Sequence, residues 1–322
     1  MNRPLSRRRA LAITALPTLL GLGCGAQTGQ LTAAEPTTAP TKIGEAAPAG
    51  KILYAADADL WVWQHGATRR LTRDRISRQP AWSPDGKRIA HVKIDVSSSE
   101  IWVMDADTSN ARALTDNYSK TLNQNNWAFR PTWWPDGSRL LYLSEATTND
   151  LMIWQVQTDG KNRRAFLSVP DFEGGLDMPA LSPDARRLLA VSYRTAGSKP
   201  QVFSYALPSG PWRPLTDHAD GAYDPVWSPD GSRFAYTVRN KGRHDVWVAS
   251  ADGVTAQAIT ESGACRAPCW SPDGQQLAYL SSEAGPFDIW IVGVPAQGAP
   301  IARRQLTKGL NADSVSGLSW AK

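Results

Sequence analysis

The chain has 322 residues, 42% hydrophobic and 20% charged, an ordinary composition for a folded soluble protein and a length that admits two average domains or one large all-β domain. Three Cys and four His leave little material for a metal cluster. The formal charge of +5 says nothing about nucleic acid, because residues 1–23 hold Arg3, Arg7, Arg8 and Arg9 and no acid, and the remainder sets 31 basic residues against 30 acidic ones.

The first element is an address. "MNRPLSRRRALAITALPTLLGLGCGAQ" has a basic start, an apolar run from Ala10 to Gly23 and a small residue before Cys24, the pattern of a signal peptide over residues 1–23. The run is too short to span a bilayer, which takes about 20 residues. "SRRRAL" resembles the twin-arginine export motif, with Ala10 where that motif usually has Phe. "LGLGC" resembles a lipobox and predicts lipidation of Cys24; a soluble secreted form cleaved nearby is the alternative. Residues 24–50 are rich in Thr, Ala, Pro and Gly and too poor in bulky apolar side chains to fold, so they read as a tether. The expected location is the cell envelope, with the membrane reached only through the lipid on Cys24.

From residue 51 onward the chain repeats itself. "PAWSPDG" (80–86) returns as "PTWWPDG" (131–137), "PALSPDA" (179–185), "PVWSPDG" (225–231) and "PCWSPDG" (268–274). After each comes an alternating strand, such as "KRIAHV" (87–92) or "SRFAYT" (232–237). A second strand follows, commonly opened by an acid, such as "EIWVMD" from Glu100, and a third closes on Leu-Thr or its equivalent at Thr115, Ser168, Thr216, Thr260 and Thr307. The Trp position recurs at 82, 133, 181, 227 and 270. Four short strands repeating every 40–50 residues signal a β-propeller. A sixth unit is split: "KILYAA" (51–56), "DLWVWQ" (59–64) and "RRLT" (69–72) supply its last three strands, and "VSGLSWAK" (315–322) its first. The fold expected is therefore all-β, a six-bladed propeller over residues 51–322 with blade 1 closed by the C-terminal strand. Ser-Pro-Asp-Gly suits the turn between a blade's first two strands, since Pro presets φ, Asp accepts backbone N–H bonds and Gly supplies φ > 0. Blade 4 departs twice, with Leu181 for Trp and Ala185 for Gly, and is expected to be the least tightly packed.

With five heptads and their strands in place, the repeats resemble those of the TolB-type propeller, also found in the non-catalytic propellers of prolyl-oligopeptidase-like proteases. The resemblance covers about residues 51–322, and the tether occupies the place of the α/β domain that precedes the propeller in TolB. It implies a binding module whose partners are envelope proteins, as the Tol-system lipoproteins are for that family.

The candidate site is the ring of loops joining each blade's fourth strand to the next blade's first. Arg78 lies in a basic loop. Tyr118, Trp127, Phe129 and Arg130 lie in or just after the longest loop, and exposed aromatics with Arg are the composition of interface hot spots. Asp171, Glu173 and Asp177, with Asp217, Asp220 and Asp224, make two acidic loops, so the mouth is expected to be positive on one side and negative on the other. His218 in "TDHADGAYDP" (216–225) invites either a cation or proton-transfer site or a plain polar loop; His91 reads as structural, and His65 and His244 as solvated. Cys265 and Cys269 in "CRAPC" are expected to form a local disulfide in an oxidising compartment.

No Gly-x-Ser-x-Gly, glycine-rich phosphate loop or His-Glu-x-x-His is present. The reading is thus a protein- or peptide-binding propeller in envelope transport or assembly, without catalysis, cofactor or metal, contacting another envelope protein or peptide and no nucleic acid. Two alternatives stand beside it. One is an enzyme with a channel-mouth site acting on acidic carbohydrate in the manner of a lyase, with His218 as its active group. The other is a propeller that gates substrate for a separate peptidase.

Overall fold

The computed structural model describes residues 48–121, 124–146, 150–167, 175–193, 197–296 and 298–322. The signal peptide, Cys24 and the tether as far as residue 47 lie outside the described residues, as do Ser168, Asp171 and Glu173.

Among the described residues twenty-four strands form six antiparallel four-stranded sheets. Blade 1 holds β1 (Lys51–Ala56), β2 (Asp59–Gln64) and β3 (Ala67–Arg70). Blade 2 holds β4 (Ser77–Trp82), β5 (Arg88–Ile94), β6 (Ser99–Asp105) and β7 (Arg112–Ala113). Blade 3 holds β8 (Ala128–Trp133), β9 (Arg139–Ser144), β10 (Met152–Gln157) and β11 (Arg164–Leu167). Blade 4 holds β12 (Leu176–Leu181), β13 (Arg187–Ser192), β14 (Gln201–Ala206) and β15 (Trp212–Pro214). Blade 5 holds β16 (Ala222–Trp227), β17 (Arg233–Asn240), β18 (Arg243–Ser250) and β19 (Ala256–Ala258), and blade 6 holds β20 (Cys265–Trp270), β21 (Gln276–Ser281), β22 (Asp288–Gly293) and β23 (Ile301–Gln305). The last strand, β24 (Ser319–Ala321), returns to blade 1 and pairs with β1, Ile52 opposite Trp320. The split sixth unit is confirmed. The first strands of successive blades lie side by side all the way round, which closes the ring about a channel.

The middle strands are buried on both faces because each face meets a neighbouring blade: β9 and β13 are buried at five of six positions. The fourth strands are largely exposed, as in β7 and β15.

Three recurring side-chain devices explain the repeat. In the turn, the Ser hydroxyl donates to the Asp carboxylate (Ser182–Asp184, Ser228–Asp230 and Ser271–Asp273, each 2.6 Å). The same carboxylate accepts the N–H two residues on, and Gly86, Gly137, Gly231 and Gly274 take φ of 66–72°. Ala185 is held at φ 55° in the same place, a strain of about 1 kcal/mol for a residue with a β-carbon.

The second device is a clasp. The closing Thr of strand four donates to the residue that opens strand three and accepts the next backbone N–H. Thr72–Asp59 (2.8 Å), Thr216–Gln201 (2.8 Å), Thr260–Asp245 (3.0 Å), Thr307–Asp288 (3.0 Å) and Thr115–Glu100 all repeat it. The accepting side chain also takes backbone N–H groups from the loop beyond, as Glu100 does from Asn117 and Asp288 from Gly309 and Leu310. The clasps therefore fix the loops that surround the channel.

The third device joins neighbouring blades. The cation that opens strand two lies over the next blade's Trp and donates to the carbonyl of that blade's turn glycine. Lys51 does this with Trp82 and Gly86, Arg88 with Trp133 and Gly137, Arg187 with Trp227 and Gly231, and Arg233 with Trp270 and Gly274. The indoles of Trp133, Trp227 and Trp270 return bonds to the preceding blade's carbonyls at Ala81, Ala180 and Val226. Between blades 3 and 4 the device is missing. Leu181 offers no ring, and Arg139 lies instead over Trp134 of its own blade, 3.7 Å from its centroid. Among the described residues that interface buries six core side chains, against eight to twelve in the other clusters.

Candidate functional site

One end of the channel carries the loops from strand four to the next strand one, together with the strand two to three hairpins; the Ser-Pro-Asp-Gly turns lie at the other. At the first end, the mouth, the inner strands share an irregularity. The residue two places before each Trp-preceding position takes a left-handed conformation: Gln79 (φ 50°), Arg130 (55°), Met178 (51°), Asp224 (52°), Ala267 (54°) and, in the closing segment, Gly317 (77°). In five of the blades it precedes a Pro and sits where the pairing register slips against strand two. Five such non-glycine residues cost on the order of 1 kcal/mol each, so a collar of bulges is held in place by the ring around it.

The charged collar residues are paired with one another. Arg78 bridges to Asp313 at 2.7 Å, Arg130 to Asp177 at 3.8 Å and Arg266 to Asp224 at 3.7 Å. Arg130 also donates to the Val315 carbonyl at 2.7 Å, and its backbone N–H to Gln79 Oε1 at 2.8 Å. Asp224 accepts from Thr237 at 2.9 Å, and its N–H meets the Met178 sulfur at 3.0 Å. Round the ring the cations Arg78 and Arg130 stand on the neighbouring blades 2 and 3 and the carboxylates Asp177 and Asp224 on the neighbouring blades 4 and 5, and with Asp313 and Arg266 they pair across the 1–2, 3–4 and 5–6 joins. Desolvation pushes the Asp177 carboxyl above the usual carboxylate range despite Arg130 beside it, with the Asp224 charge adding to the rise.

The aromatic loop is partly as expected. Tyr118 is 61% exposed. Trp127 and Phe129 stack on each other at 6.0 Å and 7°, with Phe129 packed against the apolar cluster between blades 3 and 4. Tyr118, Arg78, Arg130, Asp177, Asp224 and His218 all lie on the mouth end, His218 in the loop between blades 4 and 5. Its Nε2 is 3.2 Å from the Tyr236 hydroxyl and its ring packs edge-on against Trp247, and burial lowers its pKa. Among the described residues neither Asp177 nor Asp224 is among its hydrogen-bond partners, and the carboxylate charge that acts on it is that of Asp217. Among the described residues no group of three His, Cys, Asp or Glu is placed to hold a metal.

The disulfide expected of Cys265 and Cys269 is not formed; both thiols are free and buried. The cause is the bulge. Cys265 faces Ser281 and Cys269 faces Ala278, three positions apart on β21, so the two side chains leave opposite faces of the sheet. Cys265 joins the core cluster between blades 5 and 6 and Cys269 the one between blades 6 and 1. Burial pushes the Cys269 thiol up to about 12.

Arg266, Asp313 and Gln79 belong to the collar but do not stand out by composition. Arg266 and Gln79 are marked only by their place before the heptad's Pro. A cleft of about 390 Å³ at the rim of blade 1 is lined by Asp57, Trp61, Arg70 and Arg75; Arg70 there is bound to Asp59 and to the Thr72 carbonyl.

Comparison with known proteins agrees with this architecture. A family model described as the TolB beta propeller domain matches residues 122–317. The "Tol-Pal system protein TolB" of Anaeromyxobacter sp. (strain K) is 40% identical over 114 residues, 34% of this chain and 25% of that protein; the match spans about a quarter of that relative's length. Among solved structures, TolB from Acinetobacter baumannii superimposes with a TM-score of 0.65 at 20% identity, over 84% of this chain and 66% of that one. An oligogalacturonate lyase from Vibrio parahaemolyticus gives 0.51 at 16% identity, over 80% of this chain and 73% of that one. At such identities the structural likeness speaks for the fold alone.

Proposed function

The chain belongs to the TolB β-propeller family, and on that premise we propose that it is an envelope-anchored binding module which captures a protein or peptide segment at its mouth end and performs no chemistry. The observation that carries this reading is the distribution of exposed apolar surface. Of six large hydrophobic side chains left exposed among the described residues, four stand on mouth-end loops: Val96 (95%), Tyr118 (61%), Val315 (42%) and Tyr193 (37%). Scattered single exposures are ordinary, but a set gathered on one end is the mark of an interaction surface. The collar charges are already paired with each other, so recognition falls to the apolar and aromatic rim, with Arg78 and Arg130 able to exchange partners. Anchoring through Cys24 and a partner within an envelope system of the kind named for its TolB relative complete the proposal.

The test is cross-linking and mass spectrometry on envelopes expressing the chain. The wild type is expected to capture a discrete partner that Val96→Asp combined with Tyr118→Ala loses, while the fold survives by circular dichroism. Capture unchanged in that variant, or turnover of an acidic oligosaccharide abolished by His218→Ala, would overturn the reading. Cys24→Ser is expected to release the protein from the membrane fraction without affecting capture in solution.

A further inference from the structure

The cation–Trp device divides the ring. Lys51 on Trp82 and Arg88 on Trp133 join blades 1, 2 and 3; Arg187 on Trp227 and Arg233 on Trp270 join blades 4, 5 and 6. The two joins without it, 3–4 and 6–1, are diametrically opposite in a six-membered ring. They are not equivalent. At 6–1, where Gln276 occupies the cation's place, the backbone itself crosses from blade 6 to blade 1. Ala312 bridges to Ala56, Asp313 N–H donates to the Ala55 carbonyl at 2.8 Å and Ala312 N–H to the Phe287 carbonyl at 2.9 Å, over a core cluster of twelve buried residues. At 3–4 only six residues of the core cluster are fully buried and eight more are partly buried against it, Arg139 is turned back onto Trp134, and Ala185 strains the turn. Among the described residues, what crosses the 3–4 join near the inner strands is a single backbone bond, Leu176 N–H to the Leu151 carbonyl (3.0 Å), with the Thr132 hydroxyl on the Pro179 carbonyl (2.9 Å) and the long Arg130–Asp177 pair at the mouth (3.8 Å).

We propose that the propeller moves as two rigid three-blade halves, hinged at the 6–1 join and parting at the 3–4 join, with Arg130 as the latch over the parting seam. Arg130 is shared between Asp177 on the far side of the seam and the Val315 carbonyl on its own half. A group that enters the mouth and takes either contact shifts the balance on the seam, so occupation of the mouth and the width of the channel are coupled. The division into halves rests on the joins alone and stands or falls separately from the identity of any partner.

The residue two places after each turn aspartate offers equivalent, exposed labelling positions: Lys87, Ser138, Arg186 and Ser232. Full-length chain with Cys24→Ser and pairs of these changed to Cys, spin-labelled, is measured by double electron–electron resonance. The distance distribution for 138–186, across the seam, is expected to be at least twice as wide as those for 87–138 and 186–232 within each half. Leu181→Trp with Ala185→Gly supplies Arg139 with the missing ring and a relaxed turn, and is expected to narrow 138–186 alone. Arg130→Gln is expected to widen 138–186 alone. Equal widths for the three pairs in the otherwise unaltered chain overturn the proposal, whether or not the double variant folds. Wild-type amide exchange gives an independent reading: β12 is expected to open more than tenfold faster than β16, and equal protection overturns the proposal as well.

Discussion

Replacing Trp227 by Leu copies onto the 4–5 join what blade 4 already has at position 181, and its cost can be worked from the contacts. Trp227 is 6% exposed and fills the space between blades 4 and 5. Truncating a buried Trp to Ala costs about 3–5 kcal/mol, and the part retained by Leu leaves about 2 kcal/mol of that loss. The Arg187 guanidinium, 4.5 Å above the ring, adds about 0.5–1 kcal/mol. The indole bond to the Ala180 carbonyl at 3.2 Å adds about 1 kcal/mol. The total is about 3.5–4 kcal/mol, and at roughly 2–4 °C per kcal/mol for a domain of this size the midpoint falls by about 7–16 °C. Calorimetry and urea unfolding of the single variants Trp227→Leu and Arg187→Met and of their combination check it. The pair is expected to be sub-additive by about 0.5–1 kcal/mol, since each removes the other's partner. A midpoint drop under about 2 °C, or strict additivity, refutes the idea that these contacts hold the blades together.

The turn aspartates predict an acid limb. Ser228, Ser232 and a backbone N–H hold Asp230 down to about 2, and Asp85, Asp184 and Asp273 are lowered by the same kind of donors. A carboxyl with a depressed folded pKa stabilises the fold above its unfolded value near 4 and loses that contribution as pH falls toward 2; the urea midpoint is therefore expected to fall between pH 4 and 2, and less steeply in Asp230→Asn. Gly50 has φ 92°, and a β-carbon there would lie 2.2 Å from the Ala321 carbonyl oxygen, so Gly50→Ala is expected to cost the closing strand its protection, read as at least tenfold faster exchange of the Ser319–Ala321 amides. Native protein carrying Cys24→Ser is expected to show no thiol reactive to Ellman's reagent at pH 8 and two after unfolding; an intact mass two units low, the signature of a 265–269 disulfide, would contradict the opposed faces of β20.

The sequence carried the ring, the blade count and the closing strand because most units spell their turn and their clasp: Ser, Asp and Gly in the turns of blades 2, 5 and 6, and Thr with an acid or Gln in every clasp but that of blade 3. The missing ring and the strained turn of blade 4 were equally legible, since Leu181 and Ala185 are departures from a letter repeated elsewhere. What failed at the mouth failed for one physical reason. The left-handed residue before the heptad's Pro adds a bulge, and beyond it the alternation of faces is shifted by one. "CRAPC" therefore does not bring its sulfurs together, and Arg266 and Asp224 meet although neither loop composition nor spacing links them. His218 was left open between a site and a plain polar loop: three aspartates flank it in the chain, but Tyr236 and Trp247 hold its ring, and those contacts come from a neighbouring strand pair that no local reading reaches.

The pairing of Ile52 with Trp320 sets an order on biogenesis. As the polypeptide leaves the ribosome, the sheet begun first is the one finished last, and five complete sheets must wait on a sixth whose inner edge stays bare. An interrupted translation product ending anywhere before residue 319 keeps that edge available to proteases and to stray strands, so the architecture itself distinguishes a finished molecule from an unfinished one.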